Sequence, residues 1–389
     1  MSMSSTLARY TALAVGRTPP KLLSALERLP LTSAKYLVAL LFLLNYGGWP
    51  LAWHARIMSP LFEGFLAIHL IKLLHIFSPK QSRKAALEAW YESQMPIGEH
   101  PFRKVWTRGG SVRLDQSDFN MHMSNSSYAM ILDSARLRLA LSAFPNIFRS
   151  GGWVPLSATH FHFIREIPIF SRYEVRVTIG SFDDKWLWVV SRFVKPVSVS
   201  KNRRTPLPPQ NPLATTDSGA SSSANASSSN PEAIAQSLLA REAAKTEPDG
   251  ALLYSITVEQ FCFKQGRMTV PPGIVLAANG FHSGAGASVP SASHKIKGKP
   301  APPPHWPAVR RLMRSSGLKD LARFYAGGWK DVPEGERWWE EAMKHCEEER
   351  RVRLSPFVGG DGDGGEVLGG LKGGMEGVRG LGEVGAIRA

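Results

Sequence analysis

The chain has 389 residues, a formal net charge of +15 and two cysteines, Cys262 and Cys346. Two cysteines in different contexts exclude a disulfide framework and a CxxC zinc site, so any chemistry must use oxygen and nitrogen groups. The positive charge favours an anionic partner, such as a phospholipid surface, a nucleic acid or a phosphate-bearing cofactor. Composition does not choose among these three.

The N-terminal part predicts attachment to a membrane. A basic segment, residues 1–35, holds five Lys or Arg and one acid, and an uncharged run of 18 residues follows from Tyr36 to Trp53. A spanning helix needs roughly 17–25 apolar residues, so we predict a transmembrane or membrane-anchor helix over 36–56. The basic segment is too long for the n-region of an ordinary signal peptide, which favours a retained anchor. A mitochondrial transit peptide and a buried core helix are the alternatives.

The connecting segment 57–102 is apolar but contains charged residues, among them Glu63 and Lys72. Such a segment is typical of an amphipathic helix that lies along a membrane interface or packs on the domain. Basic residues flank the apolar part on both sides, so the orientation in the membrane stays open. The predicted localisation is the endoplasmic reticulum or another endomembrane, with the mitochondrion as the alternative.

Residues 103–197 predict the first part of a globular domain. A strand is expected at "KVWTRGGSVRL", followed by a helix whose first amides could donate hydrogen bonds to Ser124 or Asn125. The glycines of "SGGW" are expected to end this helix. Its prediction depends on apolar residues at helical spacing, namely Tyr128, Ile131, Leu132, Ala135, Leu139 and Ala140.

Three strands are expected next, at "VPLSATHFHFI", "RYEVRVTIGSF" and "KWLWVVSRFVK". In the second strand apolar and polar residues alternate with a period of two, which predicts one buried and one solvated face. Two aspartates separate the second strand from the third, and the pair predicts a long antiparallel hairpin.

The rest of the chain alternates between low-complexity and structured segments. Residues 198–249 are a Ser-, Ala- and Pro-rich insertion that we predict to be disordered, because it has too little apolar surface to bury. Residues 250–275 predict the second part of the domain, with one further strand. Residues 276–358 predict a C-terminal extension with short helices, and the glycine-rich tail 359–389 is predicted to be disordered.

The stretch "DFNMHMSNSSY", residues 118–128, lies between the first strand and the helix. It resembles the motif DxxGHVNNxxY of hotdog-fold acyl thioesterases. The strands that follow resemble the same family, particularly the branch called thioesterase superfamily member six and its longer fungal relatives. The resemblance covers about residues 103–196 and 250–272. It implies an α+β hotdog fold, an antiparallel β-sheet wrapped around a long central helix, in a homodimer whose sites form between protomers.

The resemblance also implies hydrolysis of a thioester between an acyl group and coenzyme A or an acyl carrier protein, without a metal or other cofactor. Asp118 takes the position of the nucleophile or general base, and amides at the helix start would stabilise the carbonyl oxygen. His122 and Asn125 would shape the site. The fungal relatives suggest a place in lipid or secondary-metabolite biosynthesis. The residues expected to contact substrate or the phosphates of coenzyme A are Asn120, Ser124, Tyr128, Arg165, Arg172 and Arg176.

Two positions depart from the family motif, because Met121 replaces the usual glycine and Ser124 replaces the first of two asparagines. If the glycine serves a positive φ, Met121 would strain the loop. The competing interpretation of the motif is structural, with Asp118 accepting hydrogen bonds from loop amides. The competing function is a non-catalytic, membrane-associated hotdog scaffold that binds acyl groups or partner proteins.

Other candidate sites are weaker. His160 and His162 lie on the same side of a predicted strand, but no third ligand accompanies them, so no metal site is predicted. The basic residues are scattered and no recognition module is visible, so nucleic acid is not an expected partner.

Overall fold

The computed structural model describes residues 31–197, 247, 249–284, 301–314, 318–355 and 357. Most of the basic segment, nearly all of the predicted insertion and the whole glycine-rich tail lie outside the described residues. The chain divides into two units. The smaller contains the described residues up to Arg56 together with Arg113–Asp115, and the larger contains the others.

Three helices precede the first strand: α1 (Leu31–Leu44), α2 (Ala52–Leu74) and α3 (Lys80–Gln94). The continuous helix predicted over 36–56 is interrupted by a 3-10 turn at Tyr46–Gly48. Two glycines and Pro50 explain the break, since glycine weakens a helix and proline disfavours the helical conformation of the residue before it. Among the described residues, α2 is the one helix long and apolar enough to cross a membrane.

One sheet contains five strands: β1 (Val105–Ser111), β2 (Leu156–Phe163), β3 (Arg172–Phe182), β4 (Leu187–Lys195) and β5 (Leu252–Phe261). Their order is β1–β3–β4–β5–β2, and every neighbouring pair is antiparallel. The predicted hairpin is β3–β4, in which Phe182 pairs with Leu187 beside the turn. A two-stranded sheet of β6 (Phe263–Gln265) and β7 (Met268–Val270) follows.

The long helix α4 (Asn125–Ala143) shares a core with the inner face of the sheet. Its buried residues recur at the predicted helical spacing, and Leu132 is fully buried in one cluster with Val189. The helix ends before the predicted glycines because Pro145 begins a separate short helix, α5 (Pro145–Arg149). An antiparallel sheet that shares a core with one long helix is the hotdog-type α+β arrangement predicted from the sequence.

A second helix of this core, α6 (Pro272–Ala278), follows β7. Its sequence, PGIVLAA, is apolar on all sides, which is typical of a helix surrounded by protein. Just after it, the side-chain oxygen of Asn279 accepts a hydrogen bond from the backbone amide of Asn146 at 2.9 Å. The buried core therefore continues past residue 275.

The outer face of the sheet is also buried, so the prediction of one solvated face for β3 was wrong. The C-terminal extension covers this face. Phe357 stacks on Trp188 with ring centroids 5.2 Å apart, and Ser181 Oγ donates to the carbonyl of Arg350 at 2.8 Å. A Cβ at position 180 would lie 2.9 Å from the Phe357 ring, which explains the glycine there. The extension contains α7 (Trp306–Met313), α8 (Lys319–Tyr325), α9 (Trp338–Met343) and α10 (Glu347–Leu354).

Candidate active site

The motif loop, residues 116–124, is a closed turn between β1 and α4. The backbone amide of Asp118 donates to the carbonyl of His122 at 2.8 Å, which closes the loop on itself. The connection between β2 and β3 fixes it from the other side, because the amide of Met123 donates to the carbonyl of Ile167 at 2.8 Å. These bonds hold the Asp118 side chain in a defined place just before the helix.

The Asp118 carboxylate is fixed through one of its two oxygens. Oδ1 accepts hydrogen bonds from the backbone amides of Asn120 and His122, at 2.9 and 3.2 Å. Oδ2 receives no hydrogen bond from the described part of the chain. The contact predicted by the structural interpretation is therefore present, and it leaves the second oxygen available to water or substrate.

His122 lies beside an acid that the sequence analysis missed. Its Nδ1 is 3.1 Å from Oε2 of Glu166, and the Glu166 side chain is 72% exposed. Glu166 belongs to the β2–β3 connection, more than forty positions along the chain, and no local pattern links it to the motif. Only the pairing of that connection with the motif loop brings the two side chains together.

The start of α4 lacks the predicted hydrogen bond from a helix amide to a capping side chain. Ser124 is the N-cap residue, but its hydroxyl makes no hydrogen bond to a helix amide. It lies instead 2.8 Å from Oγ of Ser127, which donates to the carbonyl of Gln116 at 2.9 Å. Asn125 is exposed in the first turn, where amides have no acceptor within the helix.

Tyr128, predicted to contact substrate, belongs to the core. It is 2% exposed and packs edge-on against Phe163 and Phe193, with centroids 5.0 and 4.8 Å away. Burial raises the pKa of its phenol. Its place in the motif is therefore explained by packing of the first helical turn.

The three candidate arginines differ in exposure. Arg176 is buried, and its guanidinium makes ion pairs with Glu174 and Asp249, each at 2.7 Å. Because these acids already neutralise its charge, Arg176 does not add to a positive surface, contrary to the prediction. Arg172 is exposed and Arg165 is half-buried, so both stay candidates for phosphate contacts.

Met121 has φ of 63°, in the left-handed region where the family motif carries glycine. A side chain in this region costs roughly 1–2 kcal/mol, so the position is strained. The side chain is 54% exposed and meets little steric resistance. The loop therefore keeps the backbone conformation expected of the motif despite the substitution.

A second acidic group lies inside the domain, where α4 meets β5. Glu259 is fully buried, and its Oε1 is 3.0 Å from Nε of Arg136. Arg136 also bonds Asp133 at 3.0 Å and Thr159 at 3.1 Å. Burial raises the pKa of Glu259 to about 7, while Arg136 opposes the shift. No local sequence pattern predicts this network, because its members come from three separate elements.

Metal ligands do not cluster in the described ranges, where no group of three or more His, Cys, Asp or Glu is arranged to hold an ion. His160 and His162 are both exposed on β2.

Comparison with known proteins matches residues 112–207 to the thioesterase-like superfamily. A probable thioesterase of Saccharomyces cerevisiae is 33% identical over 81 residues, which cover 20% of this chain and 35% of that protein. The thioesterase poxG of Penicillium oxalicum is 25% identical over 258 residues, covering 62% of this chain and 69% of that one. The predicted resemblance to hotdog-fold thioesterases is thus confirmed, whereas the narrower branch stays a prediction.

Among solved structures, a 1,4-dihydroxy-2-naphthoyl-CoA thioesterase from Synechocystis aligns with 46% of this chain and 96% of its own. The sequence identity is 11% and the TM-score is 0.28. The chain spans about a third of the length of the yeast relative named above.

Replacing Met121 by glycine should relieve the strain of the motif loop. We expect Met121→Gly to raise the free energy of unfolding by about 0.5 kcal/mol, the roughly 1–2 kcal/mol of strain less the entropy cost of glycine. Asn120 does not have a positive φ, so Asn120→Gly should instead lower it by about 0.5–1 kcal/mol. Urea denaturation of both variants measures the difference, and equal destabilisation would contradict the assignment of strain to Met121.

Stability should depend on pH through Glu259. Its folded pKa, about 7, lies above the ordinary value of 4.5, so the folded state binds more protons between these two values. Its contribution to stability is therefore complete below about pH 4.5 and is lost as the pH rises to 7, by an amount of order 3 kcal/mol. Glu259→Gln should flatten that part of the profile in denaturant titrations from pH 4.5 to 8. An unchanged profile would show that Glu259 titrates normally.

Proposed function

We propose, from the match of residues 112–207 to the thioesterase-like superfamily, that this protein hydrolyses acyl thioesters at the motif loop. One observation carries the proposal: Asp118 stands at the helix start with Oδ1 held by two amides and Oδ2 without a hydrogen bond from the described residues. A carboxylate held in this way is oriented for attack or for proton transfer and needs little rearrangement.

In the proposed reaction, Oδ2 of Asp118 takes a proton from a water molecule as that water adds to the thioester carbonyl. Negative charge develops on the carbonyl oxygen, and the first-turn amides of α4, at Asn125 and Ser126, are the groups proposed to stabilise it. The intermediate then expels the thiolate, which takes up the proton, and leaves the free acid. Direct attack by the carboxylate would give an anhydride that water hydrolyses, with the same net products.

His122 and Glu166 are proposed to position the loop. His122 contributes its backbone amide to Oδ1 of Asp118, and its ring lies against the Glu166 carboxylate. The pair thereby connects the motif loop to the β2–β3 connection. Asn120 and Ser124, at the loop surface and the helix start, are proposed to contact the substrate.

The thiol carrier is proposed to be coenzyme A or an acyl carrier protein, both of which carry phosphate at the far end of the pantetheine arm that bears the reacting sulfur. Arg165 and Arg172 are the arginines proposed to meet this charge. A role in lipid or secondary-metabolite biosynthesis is proposed from the family resemblance alone.

A homodimer is proposed through β2, one of the two edge strands of the sheet. It pairs with β5 on one side and is mostly exposed, including Leu156 and Phe163 at 41% each. An exposed edge strand is a template for pairing with a second copy.

Sedimentation equilibrium should give twice the monomer mass, and a monomer at micromolar concentration would refute the dimer.

Membrane association is proposed through α2, at an endomembrane such as the endoplasmic reticulum or, alternatively, at the mitochondrion. Near the middle of α2, Glu63 makes two hydrogen bonds with Arg138 of α4, at 2.9 and 3.2 Å. This pairing favours a helix that lies in the membrane interface over one that spans, because a spanning helix would carry Glu63 into the bilayer. With 14 residues, α1 is too short to span.

Charges on the exposed side of α2 should weaken this association. Leu66 and Leu73 are 69% and 62% exposed, so Leu66→Asp with Leu73→Asp removes apolar surface without disturbing the core. We expect the double variant to float less with phosphatidylserine-containing vesicles than the wild type. Val352→Asp, at a residue 64% exposed on α10, is the matched control. Equal flotation of all three proteins would rule out α2 as the attachment.

The hydrolase proposal is tested by Asp118→Asn. Asparagine keeps the oxygen that accepts the two loop amides but removes the charge, so the loop should stay folded. We expect kcat for acyl-CoA hydrolysis, followed as thiol release, to fall about 10²- to 10⁴-fold. Short, medium and long acyl-CoAs should be compared in the same assay.

Asp183 supplies a matched control within the same chain. Its Oδ1 also accepts two backbone amides, from Lys185 and Trp186, in the β3–β4 turn. Asp183→Asn should therefore change stability as Asp118→Asn does while leaving thiol release unchanged. Equal thiol release by both variants would exclude Asp118 as the catalytic group, and no release from the wild type or the variants would favour the acyl-binding scaffold.

A further inference from the structure

A large apolar groove lies outside the motif loop, between α2, α3 and the end of α4. Its volume is about 780 Å³, within the roughly 300–1,000 Å³ of small-molecule sites. Its walls include several aromatic side chains, among them Phe62, Phe65, Trp90 and Phe148. None of its lining residues belongs to the motif loop.

The groove keeps its shape through a fixed contact between two of its walls. Arg138 of α4 donates to both carboxylate oxygens of Glu63 on α2. Bidentate pairs of this kind fix orientation as well as distance. The charge of Arg138 is thereby neutralised, which leaves a different arginine as the cation of the groove.

That arginine is Arg149, at the end of α5. Its guanidinium stacks on Tyr91, 3.8 Å from the ring centroid, and donates one hydrogen bond to Asn146 at 3.3 Å. No carboxylate of the described chain lies within ion-pair distance of it. Glu88 attracts it from further away and is itself paired with Lys84 at 3.8 Å. Burial lowers the pKa of Arg149, as expected of a partly desolvated cation.

Arg149 also lines a smaller and more polar pocket of about 340 Å³, together with Glu92 and Arg310. The cation therefore stands where an apolar groove meets an opening toward water. Two other arginines line this pocket: Arg310 is bound to both oxygens of Glu92, at 2.7 and 2.6 Å, and Arg314 does not line the groove. Of the two arginines that line the groove, Arg149 is therefore the one without a carboxylate at ion-pair distance among the described residues.

We propose that the groove binds a free long-chain fatty acid, with its alkyl chain along the aromatic walls and its carboxylate paired with Arg149. The charge distribution selects this ligand. A thioester or an ester has no charge at the acyl carbonyl and could not pair with the guanidinium, whereas a fatty acid has its single charge at one end of an apolar chain. This site does not require hydrolysis at Asp118.

Binding can be followed through Trp90, which lines the groove. Brominated fatty acids quench tryptophan fluorescence on contact, so 9,10-dibromostearate should quench the purified full chain and quench Trp90→Phe measurably less. In competition with saturated acids of increasing length, affinity should rise about fourfold per methylene until the groove is full. Asp118→Asn should bind as the wild type does, which separates this site from the proposed hydrolase.

The carboxylate contact is tested by Arg149→Gln, which should weaken dibromostearate binding about 10- to 100-fold. Arg149→Lys should keep part of the affinity, and it replaces the Gln variant if thermal melting shows that the latter is unfolded. Arg310→Gln, next to the junction, should bind normally. The methyl ester of dibromostearate should bind no better to wild type than to Arg149→Gln.

Three outcomes would overturn the proposal. The first is equal quenching of wild type and Trp90→Phe, which would place the ligand elsewhere. The second is equal affinity for the acid and its methyl ester, which would remove the role of Arg149. The third is stronger, Arg149-dependent quenching of Trp90 by vesicles of brominated phosphatidylserine than by the free acid, which would assign the groove to a bilayer lipid.

Discussion

Burial of the sheet on both faces is the constraint on which the rest of this structure depends. Central strands β3, β4 and β5 have almost no exposed positions, because α4 covers one face and the C-terminal extension covers the other. A charged side chain in such a strand must find an opposite charge, since an isolated buried charge is very costly. Arg192 with Glu247, and Arg136 with Glu259, satisfy that requirement with ion pairs of 2.6 and 3.0 Å.

The same constraint explains which parts of the fold the sequence could predict. Local patterns predicted the five strands, the central helix and the β3–β4 hairpin, and the pattern was periodic in β3 and in the helix. The alternation in β3 assigned Arg176 to a solvated face, because it cannot reveal that Asp249, 73 positions later, returns to pair with that side chain. The buried helix α6 was missed for a related reason, because a run of only five apolar residues, Ile274 to Ala278, has no period to recognise.

The same difference between local and long-range contacts explains which residues of the candidate site could be predicted. Asp118 and His122 were predicted because a contiguous motif contains them, and the structure joins them by a backbone hydrogen bond. Glu166 was not predicted, because it approaches His122 only through pairing of distant segments. Tyr128 belongs to the motif yet serves the core, so a motif position can be fixed by packing alone. Met121 adopts a positive φ without glycine, so backbone shape at this place is less tied to residue type than the motif suggests.

The Glu63–Arg138 pair limits the side of a membrane on which α2 and the domain could lie. If α2 lies in a membrane interface as proposed, this pair holds it against the domain, and both ends of the helix would lie on the same side of the bilayer as the domain. In that arrangement the protein would be monotopic and would face a single leaflet. Acids released by the proposed hydrolysis would enter that leaflet alone, and reaching the other leaflet would require a separate flip of the lipid.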